Sequence, residues 1–286
     1  MRLRRREVLK LSAGFCLAGC SVLGGKGSGK KEGKACKGRI GIQLYAVRGL
    51  FSKDPAGTLK SIAALGYQGV EFWGYGGGPV VFKGKTASEF RRILDGVGLK
   101  CCGMHMSLGA LQGEKFKQTV EVNKILGNKF LIVAAARKQM SSPEAIRGYA
   151  KTLSELAARA EPFGMKVGYH CHSFDMTKCD GKSGWELLFA QASPKVVMQL
   201  DVGNCGGGGG DPVAILKEFP GRAKTVHVKE YKAAPLVAGN AVWQQIIEIC
   251  RTLHGTEWYI VEQGERGGNS LKPAEQAIKV LHAMGL

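Results

Sequence analysis

The stretch VGYHCHSFD, from Val167 to Asp175, sets His170 and His172 two positions apart. On a β-strand, side chains at i and i+2 leave the same face, so the two imidazoles would point the same way. Such a pair can bind a metal, carry protons, or simply pack in a core. Three other groups have comparable apolar flanks: Asp201 in VVMQLDV, His227 in AKTVHVKEY and Glu262 in EWYIVEQ. With one of the two histidines they form a mixed nitrogen and oxygen set of four, which suits Mn, Co, Zn, Fe or Mg and does not choose between them. Taken singly, Asp201 could cap the following turn and His227 could be a satisfied core histidine.

A closed barrel would bring these distant residues together. Short apolar runs recur at residues 39–46, 67–73, 99–106, 129–135, 165–172, 196–202, 223–231 and 257–263. Between them lie helix-like segments that open at Asp54-Pro55, Ser142-Pro143 and Asp211-Pro212 and stop at glycines such as Gly127, Gly164 and Gly255. Eight strand-then-helix units at roughly 30-residue intervals predict a single α/β domain, a (β/α)8 barrel. An open doubly wound sheet would more often carry a Gly-rich turn after the first strand, and none follows IGIQLYAVR. In such a barrel the chemistry sits at the C-terminal ends of the strands. Glu71, His105, His170, His172, Asp201, His227, Lys229 and Glu262 all fall at those expected ends, whereas His254 and His282 fall at or in outer helices and read as packing or surface residues.

The first 20 residues are set aside as an export signal, with an arginine-rich start and a short apolar run from Leu11 to Ala18. That run is far below the ~20 residues a membrane span needs. Arg5-Arg6 resembles a twin-arginine signal and Leu17-Ala18-Gly19-Cys20 resembles a bacterial lipobox, which implies a lipid on Cys20 and an exported protein held at the cell envelope or periplasm. Residues 21–37, rich in Gly, Lys and Ser, are expected to be a flexible tether, leaving 38–286 for the barrel. Residues 1–37 hold ten Lys or Arg and two acids, a net +8, so +10 of the formal +18 belongs to the barrel. This charge is spread along the chain, which fits a solvated surface near anionic lipid at least as well as a nucleic acid. The cysteines beyond the signal, Cys36, Cys101, Cys102, Cys171, Cys179, Cys205 and Cys250, show no metal-ligand spacing, and their odd number argues against a disulfide framework.

From about residue 39 to its end, the chain resembles the xylose-isomerase-like barrel superfamily, in its sugar phosphate isomerase/epimerase branch. GIQLYAVR, DPAGTLKSIAALGYQGVEFWGYGG, YHCHSFD, LDVGNCGGGGGDPVAILKEFPGRAKTVHVKEY and EWYIVEQ carry the likeness. The resemblance implies one divalent metal ion held by His170, Asp201, His227 and Glu262, and an enzyme that removes a proton next to a ketone of a sugar through a metal-stabilised enediolate. Glu262 would also take the proton, with His172 as a general acid, or exchanging roles with His170. His105 and Lys229 would complete the catalytic group, while Glu71 would ring the substrate and Arg266, after the eighth strand, would meet a phosphate. Keto-sugar epimerases bring a glutamate from the fifth strand, where this chain offers only histidines. The HxH form looks closer to keto-inositol dehydratases or keto-glycoside lyases. A non-catalytic sugar-binding lipoprotein is the reading of another class. A DNA-repair endonuclease would need more strand-end histidines, so no nucleic acid partner is expected, whereas a homo-oligomer fits. The glycine run Gly206–Gly210, after the sixth strand, is expected to be a mobile flap over the mouth.

Overall fold

The computed structural model describes residues 38–179 and 181–286; the expected export signal and tether lie outside the described residues. Eight parallel strands close a barrel in chain order: β1 (Arg39–Gln43), β2 (Gly69–Tyr75), β3 (Lys100–Met106), β4 (Phe130–Val133), β5 (Lys166–His170), β6 (Val197–Asp201), β7 (Thr225–Val228) and β8 (Trp258–Val261), with β8 pairing back onto β1. The outer layer is formed by α1 (Pro55–Ala64), α2 (Ala87–Gly96), α3 (Lys115–Leu126), α4 (Pro143–Ala160), α5 (Gly184–Gln191), α6 (Pro212–Glu218), α7 (Ala241–Ile249) and α8 (Lys272–Ala283). The (β/α)8 expectation therefore holds, strand for strand. No described helix is long and apolar enough to cross a membrane.

The punctuation of the sequence explains where the helices begin and end. Asp54, Ser142 and Asp211 each accept a hydrogen bond from a backbone N–H in the first turn of α1, α4 and α6, and Pro follows each one. Gly127 closes α3 at φ 69°, a left-handed value that only glycine adopts without strain.

Inside the barrel, alternation along each strand stacks the inward side chains in layers. The floor is apolar, built from Cys102, Phe130, Ile132, Val197, Trp258 and Ile260. The Trp258 indole fills it, with the Arg39 guanidinium 4.0 Å from the ring centre. Neighbouring strands make room by omission: a Cβ on Gly69 would come within 2.7 Å of the indole, and one on Gly41 within 2.8 Å of Cys102 Sγ. Two residues further along the strands the layer becomes polar, with Gln43, Glu71, Gln199 and Thr225 all buried. Two further still lie Asp201, His227 and Glu262.

Gly69→Ala should overpack the floor without straining the backbone. It is expected to cost about 1–3 kcal/mol by chemical denaturation, with Trp258 fluorescence shifted in the native state; an unchanged midpoint would mean that the floor is looser than its geometry.

Candidate metal centre

His170 and Asp201 end β5 and β6, His227 lies one residue before the end of β7, and Glu262 follows β8 directly. One donor atom from each falls within 4.8 Å of every other. His227 Nδ1 is 3.0 Å from Glu262 Oε2, His170 Nε2 is 3.9 Å from the same oxygen, and both imidazoles lie 4.0 Å from Asp201 Oδ2. Four donors about 2.1 Å from an ion in a tetrahedron are about 3.4 Å apart, so these separations bracket that spacing. Asp201 Oδ1 accepts the Asn204 N–H at 2.7 Å, while Oδ2 is buried with no hydrogen-bond partner. A buried carboxylate oxygen left bare is costly, and a divalent cation among these four donors would satisfy it. The residues present fit such an ion.

Beneath the four donors, Glu71 fixes which nitrogen of each histidine is free. Its carboxylate accepts from Gln43 Nε2 (2.8 Å), Gln199 Nε2 (2.9 Å) and His227 Nε2 (2.7 Å). A carboxylate only accepts, so His227 carries a proton on Nε2 and turns Nδ1 to Asp201 and Glu262. Gln199 must likewise present its oxygen elsewhere, and Oε1 lies 3.1 Å from His170 Nδ1 and 2.6 Å from His105 Nε2. Both those nitrogens therefore carry hydrogen, and the His170 Nε2 lone pair faces the other donors. This is the outer-shell arrangement by which carboxylates and amides orient metal-binding histidines. Gly103 of β3 leaves space for it, since a Cβ there would collide with the Glu71 carboxylate.

The electrostatics follow from burial and crowding. Burial opposes charge on both Glu71 and Glu262, yet the neighbouring histidines hold both carboxyls well below the usual range. Burial also opposes charge on His227, but Glu71 and Glu262 outweigh it and raise its pKa to about 10. A cation bound at Nδ1 would take the place of any proton that this nitrogen shares with Glu262. Burial, then repulsion from Glu262, pushes Asp201 up to about 7.

The other expected site residues divide. Lys229 joins the centre, its Nζ 3.9 Å from both Asp201 Oδ2 and Glu262 Oε2. His172 lies two residues past β5 with its ring centre 5.0 Å from that of His170, stacked on Phe174 at 5.3 Å; its Nδ1 is buried without a partner. His105 is close to the centre, its ring 5.2 Å from His227 and nearly parallel to it, with Nε2 committed to Gln199 and Glu71. Glu71 requires a correction: with no exposed surface it cannot ring a substrate, because β2 continues to Tyr75 and leaves it mid-strand, below the mouth. Arg266 is exposed in the loop after β8 and is not part of the cluster. His282 is exposed, and His254 is a buried packing residue that accepts the Ala223 N–H and bonds Leu216 O.

The mobile flap also gives way. Val202–Gly207 is a short helix, and three of the five glycines are packed: a Cβ on Gly206 would strike the Tyr231 ring, one on Gly208 the Ser173 backbone, and one on Gly210 the Met176 sulfur. Gln43, Gln199, Asn204 and Asp175 were not foreseen. Asp175 accepts the His172 backbone N–H (2.7 Å) and the Tyr169 hydroxyl (2.9 Å), so it shapes the loop that carries His172. Cys101, Cys102, Cys171, Cys179, Cys205 and Cys250 are free thiols.

The sequence matches the family described as xylose isomerase-like TIM barrel over residues 59–284. The rhizopine catabolism protein MocC of Rhizobium meliloti is 23% identical over 206 residues, covering 64% of this chain; the match spans only 59% of that relative. Among solved structures, a sugar phosphate isomerase/epimerase from Parabacteroides distasonis superposes with a TM-score of 0.75 at 19% identity, over 88% of this chain and 96% of the other. A D-allulose 3-epimerase from Methylomonas sp. gives a TM-score of 0.59 at 12% identity, over 86% and 98% of the two chains. These structural likenesses speak for the fold.

Glu71→Gln should lower the affinity for Mn, Co or Zn by about 10–100-fold in titration calorimetry, and 15N spectra of the metal-free protein should show His170 leaving its Nδ1–H form. Unchanged affinity would mean that the histidines are aligned without Glu71. Burial also raises Asp175 to about 7, so the native state keeps a proton that the unfolded chain loses near pH ~4. Relative to Asp175→Asn, the wild type should therefore lose stability as pH rises from about 4 to about 7 and stay level above that in thermal melts.

Proposed function

Because the chain belongs to the xylose isomerase-like TIM barrel family, we propose that it is a divalent-metal-dependent, isomerase/epimerase-like enzyme that removes a proton next to a ketone of a sugar or sugar derivative. The observation that carries this reading is the convergence of His170 Nε2, Asp201 Oδ2, His227 Nδ1 and Glu262 Oε2 at four successive strand ends, with Asp201 Oδ2 left unpaired. A divalent ion held by these four would supply Lewis-acid stabilisation of the charge on an enediolate oxygen.

The chain's own residues supply the rest. Glu262, kept ionised by His227 and His170 and partly exposed, is the group that accepts the carbon-bound proton. Lys229 Nζ, beside Asp201 and Glu262 and donating to Asn204 Oδ1 at 3.4 Å, stands where a substrate oxygen would gain a hydrogen bond. His172, held by Phe174 and by Asp175, stands on the side of His170; burial lowers its pKa, so its role is to orient a substrate hydroxyl by hydrogen bonding. Glu71 and Gln199 are positioning residues, acting only through the histidines.

Elimination of a group β to the ketone is a second reading, favoured by one observation. Opposite Glu262, β5 presents His170 and the chain beyond it His172, so the pair of opposed carboxylates that a two-base epimerisation uses is absent among the described residues. Export to the cell envelope, with a lipid on Cys20, belongs with this proposal. A sugar-binding lipoprotein would keep the pocket and have no use for the full donor set.

The test is metal content by plasma mass spectrometry, followed by proton exchange in deuterium oxide with keto sugars and 3-keto-glycosides. About one divalent ion per chain, lost in Asp201→Ala and His227→Ala with the fold retained, is expected, together with deuterium uptake that disappears in Glu262→Ala. No ion after loading with Mn, Co or Zn would sink the enzyme reading.

A further inference from the structure

We propose that the end of the barrel opposite the metal centre is a docking surface for an anionic lipid bilayer. Arg39, Lys100 and Lys166 are the first residues of β1, β3 and β5; Lys129 and Lys224 directly precede β4 and β7, and Lys195 comes two residues before β6. The parallel register gathers them at one end, where Lys166 N–H donates to Lys129 O (2.7 Å), Arg39 N–H to Glu257 O (3.0 Å) and Glu257 N–H to Lys224 O (2.8 Å). A charge that looks scattered in the sequence is thus collected by the fold. Two acids answer part of it: Glu257 pairs with Lys129 at 2.5 Å and Glu161 with Lys195 at 2.6 Å. No ion pair forms at Arg39, Lys100 or Lys166 among the described residues.

Apolar side chains stand among these cations. Phe163 (44% exposed) lies between α4 and β5, Leu253 (44%) between α7 and β8, and Ile125 (36%) in the last turn of α3. Phe163 and Leu253 belong to helix-to-strand connections and Ile125 to the helix turn that leads into one, hence all three lie toward this same end. Lys124 Nζ sits 5.1 Å from the Phe163 ring centre. Helix C-termini also finish here, and their dipoles attract cations, which accounts for some of the lysines. Dipoles give no reason to expose Phe163 and Leu253. A nucleic acid would use the charge and leave those side chains in water, whereas a bilayer interface takes both: headgroup phosphates meet the lysines and the boundary region takes the apolar tips.

The described chain also begins at this end, with Gly38, directly after the residues 1–37 that carry ten Lys or Arg and two acids. Docked this way, the barrel turns the Asp201–Glu262 mouth away from the lipid toward solutes. The inference is independent of the reaction proposed above.

The experiment uses the full chain with Cys20→Ser, so that no lipid on that residue contributes, and vesicles of phosphatidylcholine with or without phosphatidylglycerol. Sedimentation should show preference for the anionic vesicles, reduced about fivefold by each of Lys100→Gln and Lys166→Gln and about twentyfold by both. In high salt, where surface charge is screened, the residual binding should be lost in Phe163→Gln/Leu253→Gln. Metal content should be the same in every variant; if the doubly substituted chains fail to fold, the single ones carry the comparison. Wild-type binding in the lysine variants would overturn the proposal, because residues 1–37 would then account for it alone. Lysine-dependent binding to duplex DNA that outcompetes the anionic vesicles at equal salt would overturn it in favour of a nucleic acid surface.

Discussion

A single carboxylate sealed inside the barrel governs the architecture of the mouth. Glu71 has no exposed surface and cannot donate a hydrogen bond, so every group around it must bring a proton. Gln43, Gln199 and His227 do so, and His105 lies 3.1 Å away with its own proton shared between Gln199 and Glu71. Once those four directions are set, little freedom remains above them. A buried charge of this kind is unfavourable unless fully satisfied, and here satisfaction and orientation are the same hydrogen bonds. The remaining nitrogens of His170 and His227 are turned toward Asp201 and Glu262 because their opposite nitrogens are already engaged.

That arrangement rests on the apolar floor below it. Trp258 and its neighbours fill the strand-start half of the barrel and exclude water, so Glu71 finds its partners in protein groups. The glycines at Gly41, Gly69 and Gly103 are part of the same packing, each omitting a side chain where an indole, a thiol or a carboxylate already occupies the space. A low dielectric around the hydrogen bonds strengthens each of them, and it also makes the unpaired Asp201 Oδ2 conspicuous.

Much of this was legible in the sequence, for identifiable reasons. Eight apolar runs separated by capped helices announce the barrel, and titratable residues at the ends of those runs announce the mouth, because strand ends share one face whatever their separation in the chain. Gln43 and Gln199 escaped notice because neutral amides carry no signature of chemistry. Period-two alternation could have found Gln199, which points inward two positions before Asp201. Glu71 was placed too high because depth depends on where a strand stops, and β2 runs on to Tyr75 with register shifts against β3 that composition does not reveal. The basic end of the barrel was legible by the same rule, since Arg39, Lys100, Lys129, Lys166 and Lys224 stand at the starts of the apolar runs, but a count of charge along the chain hides it. The glycine run misled in the opposite direction: intrinsic entropy favours a loose loop, but contacts with Tyr231, Ser173 and Met176 override it.

Those contacts tie three loops into one unit. Gly206 lies under Tyr231 from the loop after β7, while Gly208 and Gly210 lie against Ser173 and Met176 from the loop after β5. The segments that carry Lys229 and His172 are thereby spaced by a wedge without side chains. Any enlargement of that wedge moves both at once, so reshaping this rim of the mouth calls for coordinated replacements in all three loops, and a lone substitution at Gly206, Gly208 or Gly210 would have few neutral outcomes.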